Sequence, residues 1–262
     1  MDGLAGTLGA TALFVVALML GMWLLSLWLR NASIVDVAWG PGFAGIAAVA
    51  FATGDGPLAR RALVLGLVGV WGLRLGGYLL WRAWGKPEDF RYQAMRRHWG
   101  ARFPLVSLLT VFTLQGVLMW IVSLPVQLAQ AAREPAALGA FEALGAALVA
   151  VGLFFESVGD AQLARFKSDP ANAGRVMDRG LWRYTRHPNY FGDCVVWWGL
   201  FAIALGVPGG AYSVVGPIAM TVLLLRVSGV ALLERSLVKR RPGYAEYVAR
   251  TNAFIPGPPR RA

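Results

Sequence analysis

The chain is poor in the residues that most often build soluble active sites. It has one cysteine, Cys194, and two histidines, His98 and His187, in 262 residues. A single cysteine excludes an intrachain disulfide, and two histidines are too few for a histidine-rich metal site, so no metal is expected. Charge is scarce: 15% of residues are Asp, Glu, Lys or Arg, and the acids number 14 against 25 Lys and Arg. No Walker pattern, HExxH motif or nucleophile elbow occurs. What fills the space is apolar. At 57% hydrophobic, with mean hydropathy +0.54, a soluble domain of this length has too little interior to hide its side chains. The expected class is therefore an all-α polytopic membrane protein in contact with membrane lipid. The net charge of +11 would point to nucleic acid in a soluble protein. Here the positive-inside rule accounts for it, and no nucleic-acid partner is expected.

Seven apolar stretches approach the roughly 20 residues that a span needs. They cover 6–29, 33–53, 61–82, 104–128, 137–160, 190–206 and 211–233. The sixth is short and opens just after Pro188, a good first-turn residue. The first carries no small-residue cleavage site that would mark a removed signal peptide. Charge asymmetry sets an orientation. The 2–3, 4–5 and 6–7 connections hold only Arg60, Arg61 and Arg133 as cations, and nearly all other Lys and Arg lie on the opposite side. Seven transmembrane helices in one bundle, N-terminus outside and C-terminus cytoplasmic, are the expectation.

Charges within the spans are the informative ones, because each costs about 2.5–3.5 kcal/mol near the bilayer centre. They are Asp36, Arg74, Glu156, Asp160, Asp193, Arg226 and Glu234. Glu156, Asp160 and Lys167 fall on one face if the fifth helix continues past the membrane. That stripe suits ribose hydroxyls and a phosphate, and equally an interhelical salt-bridge set with Arg226. Trp71, Arg74, Tyr78 and Arg82 form a polar-aromatic stripe on the third span. Arg74 there wants an anion, either a carboxylate of a neighbouring helix or a ligand phosphate. Asp36, early in "NASIVDVAWGPGF", reads as a carboxyl that burial keeps protonated, or as an acid favoured at a helix start. "GPGFAG", Gly40–Gly45, matches a dinucleotide fingerprint only in its glycines. No strand precedes it, and small residues there serve close helix packing or a kink. Lys239, Arg240, Arg241, Tyr244 and Tyr247 form a basic-aromatic segment, the composition of an interfacial anchor.

The C-terminal half carries a resemblance. "DAQLARFKSDPANAGRVMDRGLWRYTRHPNYFGD", a tryptophan-rich span and "RPGYAEYVARTNAFIP" resemble the steroid 5-alpha-reductase family and its bacterial relatives. The same layout is similar to isoprenylcysteine carboxyl methyltransferases and phospholipid methyltransferases. The resemblance covers residues 150–256 well and the first half loosely. The reductase branch implies one transmembrane domain over 1–262, with substrate-cavity helices in 1–130 and an NADPH-binding region in 137–256. It implies cofactor contacts at Asp160, Lys167, Asn189, Asp193 and Arg226, with Glu156 and Glu234 at matching but substituted places. Arg183, Arg186 and His187 would lie near phosphates, and Arg74, Tyr190, Arg240 and Tyr244 complete the set. The family's Glu–Tyr pair, which polarises a substrate ketone, is missing; the nearest candidates are Asp36 as the acid and Tyr78 as the hydroxyl.

The resemblance thus implies NADPH-dependent reduction of the carbon–carbon double bond of a lipophilic 3-oxo-Δ4-steroid-like enone, by a monomer in a bacterial inner membrane. The alternative is an S-adenosylmethionine-dependent membrane methyltransferase of a lipid or isoprenoid. A membrane scaffold or transporter is the non-enzymatic reading.

Overall fold

A computed structural model describes residues 2–227, 234 and 241–260, and all regular structure among them is helical. Six helical segments are long and apolar enough to cross a membrane: Gly3–Leu29, Ile34–Thr53, Leu58–Ala83, Phe90–Val122, Ala140–Ser168 and Gly210–Val227. The chain is thus built as an integral membrane protein. Helix α1 (Asp2–Leu29) is apolar all round and leaves Leu13, Leu24 and Trp28 exposed, Trp28 at 79%. Such a surface is stable against lipid rather than water.

Helices α2 (Ile34–Thr53) and α3 (Leu58–Ala83) are the most intimate pair of the first half. A Cβ on Gly40 would stand 2.3 Å from the Gly72 carbonyl oxygen, and one on Gly72 the same distance from that of Gly40. The two backbones touch there, which is the role of the small residues in "GPGFAG". Gly40→Val is expected to lower the melting temperature of the detergent-solubilised protein by several degrees, because neither backbone can yield to a side chain.

The fourth span departs from the 104–128 expected. It begins with the amphipathic α4 (Phe90–Trp99), passes a 3-10 turn at Gly100–Arg102, and runs through α5 (Phe103–Ser107), a π-helical stretch (Leu108–Thr113) and α6 (Leu114–Val122). It stops at Ser123, since Pro125 has no N–H to continue the ladder. A separate α7 (Leu124–Ala131) follows. Its C-terminal carbonyls are met by the buried Arg60, whose Nε donates to Ala129 at 2.8 Å and whose Nη1 donates to Pro135 at 2.8 Å, with Ala132 as a third acceptor. A cation suits that end of a helix dipole.

The remaining helices are α8 (Ala140–Ser168), α9 (Pro188–Leu205) and α10 (Val215–Val222), then a π-helical stretch Leu223–Val227 and a last helix Tyr244–Arg250. The stretch expected as the sixth span is α9. It starts at Pro188 and is absent from the six membrane-length segments, because its first turns carry Asn189, Tyr190 and Asp193. Two compact units divide the chain: Met1–Glu142 with Ile203–Gly216, and Ala143–Ala202 with Pro217–Ala262. The turn after α9 therefore belongs with the N-terminal helices.

Candidate functional site

In the second unit, α8 and α9 touch backbone to backbone. A Cβ on Gly152 would stand 2.5 Å from the Gly192 carbonyl oxygen, and the reverse holds at the same distance. This crossing sets a polar register. One turn along α8, the Glu156 side chain lies against Gly192. A further turn on, Asp160 Oδ1 accepts a hydrogen bond from Asn189 Nδ2 at 3.2 Å. Glu156 and Asp160 are both buried. Pro188 opens α9 where its missing N–H costs nothing, so Asn189 and Tyr190 occupy the first turn and Asp193 the second. The Tyr190 ring stacks on His187 with centroids 5.5 Å apart.

Just before α9, Arg186 ties three segments together. Its Nε and Nη2 donate to the two carboxylate oxygens of Glu234 at 2.7 and 3.0 Å. Its Nη1 donates to the Val248 carbonyl at 3.1 Å and also to that of Thr251. His187 Nε2 lies 2.9 Å from Glu234 Oε1. The Glu234 carboxyl, 18% exposed, feels opposing effects. Burial alone would raise its pKa; hydrogen bonds from His187 and Arg186 outweigh burial and hold it down to about 2. A lowered folded-state value stabilises the fold above the ordinary 4.5, and that contribution is lost as pH falls toward about 2. Glu234→Gln is accordingly expected to flatten acid unfolding between those limits, removing roughly 2–3 kcal/mol of pH-dependent stability. Thermal denaturation across that pH range measures it.

The clamp forms one wall of a cavity of about 290 Å³. Lys167 at the end of α8, Arg175 in the 169–177 loop, Arg241, Tyr244 and Tyr247 line it. Asp169 also lines it, but its carboxylate is occupied: Oδ1 accepts from the Ala171 N–H at 2.9 Å, which builds the loop. Arg241 Nη1 reaches across to the Arg175 carbonyl at 3.2 Å. Trp182 is pinned by Nε1 donating to the Gly159 carbonyl at 3.0 Å and by Tyr247, whose hydroxyl donates to the Trp182 carbonyl. Burial, followed by the nearby Glu234 carboxylate, pushes the Tyr244 phenol up to about 12. Burial likewise raises Tyr247. Both stay neutral, so the cavity is cationic and aromatic.

The first unit has a polar cluster of its own. Tyr92 on α4 donates its hydroxyl hydrogen to Asp36 Oδ1 at 2.8 Å, and Arg91 Nη2 donates to Asp36 Oδ2 at 2.9 Å. Gln115 Nε2 donates to the Tyr92 oxygen at 3.3 Å. Asp89 caps α4 by accepting from the Arg91 N–H, and its Oδ1 also accepts from Arg91 Nε, both at 2.9 Å. The result is a carboxylate, a phenol and a guanidinium held together on an apolar helix face.

A family model described as a protein of unknown function, DUF1295, matches residues 22–251. The chain belongs to the DUF1295 family. Among curated proteins it is similar to an uncharacterized protein, C594.04c, of Schizosaccharomyces pombe, with 26% identity over 217 residues. That match covers 70% of this chain, which spans 62% of the length of the yeast protein. No solved structure matches.

Within this DUF1295 chain the candidate residues separate into groups. Lys167, Arg186, His187 and Tyr244 line the cavity. Glu156, Asp160, Asn189, Tyr190 and Asp193 belong to the α8–α9 crossing. Arg186 spends four of its five N–H hydrogens on Glu234 and two carbonyls, so it mainly shapes the cavity wall and has at most one Nη2 hydrogen left for a ligand. Arg183 is exposed in the 3-10 turn Gly180–Arg183, and Arg226 is exposed in Leu223–Val227. Arg240 lies outside the described residues. Arg74 lies on α3 of the first unit, its guanidinium 5.7 Å from the centroid of the Tyr78 ring, with Arg82 on the same ring at 5.9 Å. Tyr78 thus sits between two cations, whereas the phenol that meets Asp36 is Tyr92. Sequence reasoning missed Tyr92, Arg91, Arg175 and Trp182. Arg91 and Tyr92 lay in a segment read as a connection, 55 and 56 residues from Asp36.

Proposed function

We propose that this protein is an NADPH-dependent membrane reductase of the carbon–carbon double bond of a lipophilic enone, a 3-oxo-Δ4-steroid-like ketone being the chemical type. The observation that carries the reading is the cationic, aromatic cavity of the second unit. Among the described residues that line it, Lys167, Arg175 and Arg241 outnumber the one carboxylate, Asp169, and this excess of positive charge suits phosphates. Trp182, Tyr244 and Tyr247 offer flat faces to a base. At about 290 Å³ it lies near the low end of the roughly 300–1,000 Å³ typical of small-molecule sites, room for one nucleotide half. The residues present fit the group. Asn189 and Asp193 would hold the remainder from the first turns of α9. The proposal takes seven spans, with the N-terminus outside and the C-terminus cytoplasmic from the charge asymmetry, and a monomer in a bacterial inner membrane from the family resemblance.

Bound NADPH would supply the hydride. The rest falls to the chain. Tyr92 would turn its hydroxyl hydrogen from Asp36 to the substrate's carbonyl oxygen, where negative charge develops as hydride adds at the β carbon, and a proton drawn from solvent would then reach the α carbon to give the saturated ketone. Arg91 neutralises Asp36, so that turn strands no lone carboxylate on an apolar face. Gln115 would keep the phenol in place. Surrounding lipid-facing helices would exclude water and admit an apolar substrate from the side.

The buried acids Glu156 and Asp160 favour a second reading, a methyltransferase using S-adenosylmethionine, whose sulfonium cation wants carboxylates and aromatic faces. Incubation of membranes holding the protein with an enone, NADPH and methyl-labelled S-adenosylmethionine separates the two. The reductase reading expects a saturated ketone with matching loss of NADPH. Label in a lipid product, with NADPH intact, would overturn it.

A further inference from the structure

The end of α3 carries a groove that the proposed reaction does not use. It holds about 450 Å³ and is lined by Gly77, Leu80, Trp81 and Trp84. Spacings of three, four and seven residues put all four on one helix face. Gly77 is where a side chain is left out, since a Cβ there would meet nothing within 4 Å. The groove therefore runs about 10 Å along the helix, at 1.5 Å per residue. Trp81 and Trp84 are 64% and 77% exposed, an arrangement suited to the boundary between acyl chains and headgroups.

At the head of the groove the chain turns, Trp84 closing on the Leu80 carbonyl and the Lys86 N–H on that of Ala83. Lys86 is exposed beside it, two residues past Trp84. The acids of this corner are spent elsewhere. Glu88 is engaged by Arg96 at 2.9 and 3.1 Å and by the Ala32 N–H at 2.7 Å, and Asp89 by Arg91. Among the described residues, the apolar groove thus ends at an exposed cation, Lys86, for which no ion pair is seen.

We infer that this corner binds an anionic phospholipid, its phosphate against Lys86 and one acyl chain along Gly77–Trp84. A soluble anion would use the cation and leave the groove bare; a neutral lipid would use the groove and ignore the cation. Only an anionic lipid answers both features. Each exposed cation near an anionic surface is worth about fivefold in affinity.

The test extracts the full chain from vesicles of equal phosphatidylglycerol and phosphatidylcholine and reads the retained lipid by native mass spectrometry. Phosphatidylglycerol is expected in at least about fivefold excess. Gly77→Leu fills the groove with a better helix former and should cut the retained lipid several-fold with no fall in melting temperature. Lys86→Glu should erase the preference while lipid is still retained. Equal retention of the two lipids by the native chain would overturn the inference, as would a preference that survives both variants.

Discussion

Tyr92→Phe is expected to lower enone reduction by about 10²-fold or more while leaving NADPH affinity within about twofold, because it removes one donor from the position where charge develops. Asp36→Asn should fall in the same direction by a smaller factor, since the amide can still hold the phenol but no longer pairs with Arg91. Tyr78→Phe is the control. Its ring lies between Arg74 and Arg82, and phenylalanine keeps the ring on which those cations sit. A loss of activity in Tyr78→Phe equal to that of Tyr92→Phe would return the catalytic hydroxyl to α3. Single-turnover rates with saturating cofactor separate these outcomes from effects on binding.

The second large effect belongs to the cavity. Lys167→Ala combined with Arg175→Ala is expected to weaken NADPH binding by about 10²-fold at low ionic strength, the loss of two charge-assisted contacts. The deficit should shrink as salt is added, because the native contacts are then screened as well. Arg183→Ala, on an exposed turn, should change affinity by less than about threefold. Arg186→Ala should behave differently from all of these. It breaks the tie from the 180–187 turn to Glu234 and to the backbone at Val248 and Thr251, so it should lower stability and affinity together. Isothermal titration with parallel melting curves distinguishes a lost contact from a loosened wall.

The parts legible in the sequence are those governed by short-range pattern. The lengths of α1, α2 and α3 followed closely from apolar runs, those of the fourth span did not, and the start of α9 followed from Pro188. The close approach in "GPGFAG" followed from its glycines. The polar register of α8 was visible as a spacing of four between Glu156 and Asp160, although its partner Asn189 is 29 residues away. Long-range pairing was not legible. Asp36 could be seen as costly in an apolar helix, but nothing local to it announces Arg91 and Tyr92, which arrive on the amphipathic α4. Arg186 looked like a phosphate ligand for the reason that makes it a good clamp: a planar donor fork matches a carboxylate as well as it matches a phosphate. Arg175 and Trp182 belong to irregular backbone between α8 and α9, where periodicity has nothing to say.

The central claim is that the cationic cavity takes a phosphorylated dinucleotide. Equilibrium titration of the purified, detergent-solubilised chain with NADPH and with S-adenosylmethionine tests it most directly. Saturable binding of NADPH, weakened by Lys167→Ala with Arg175→Ala and absent for S-adenosylmethionine, is the predicted result. Saturable binding of S-adenosylmethionine with none of NADPH would contradict it.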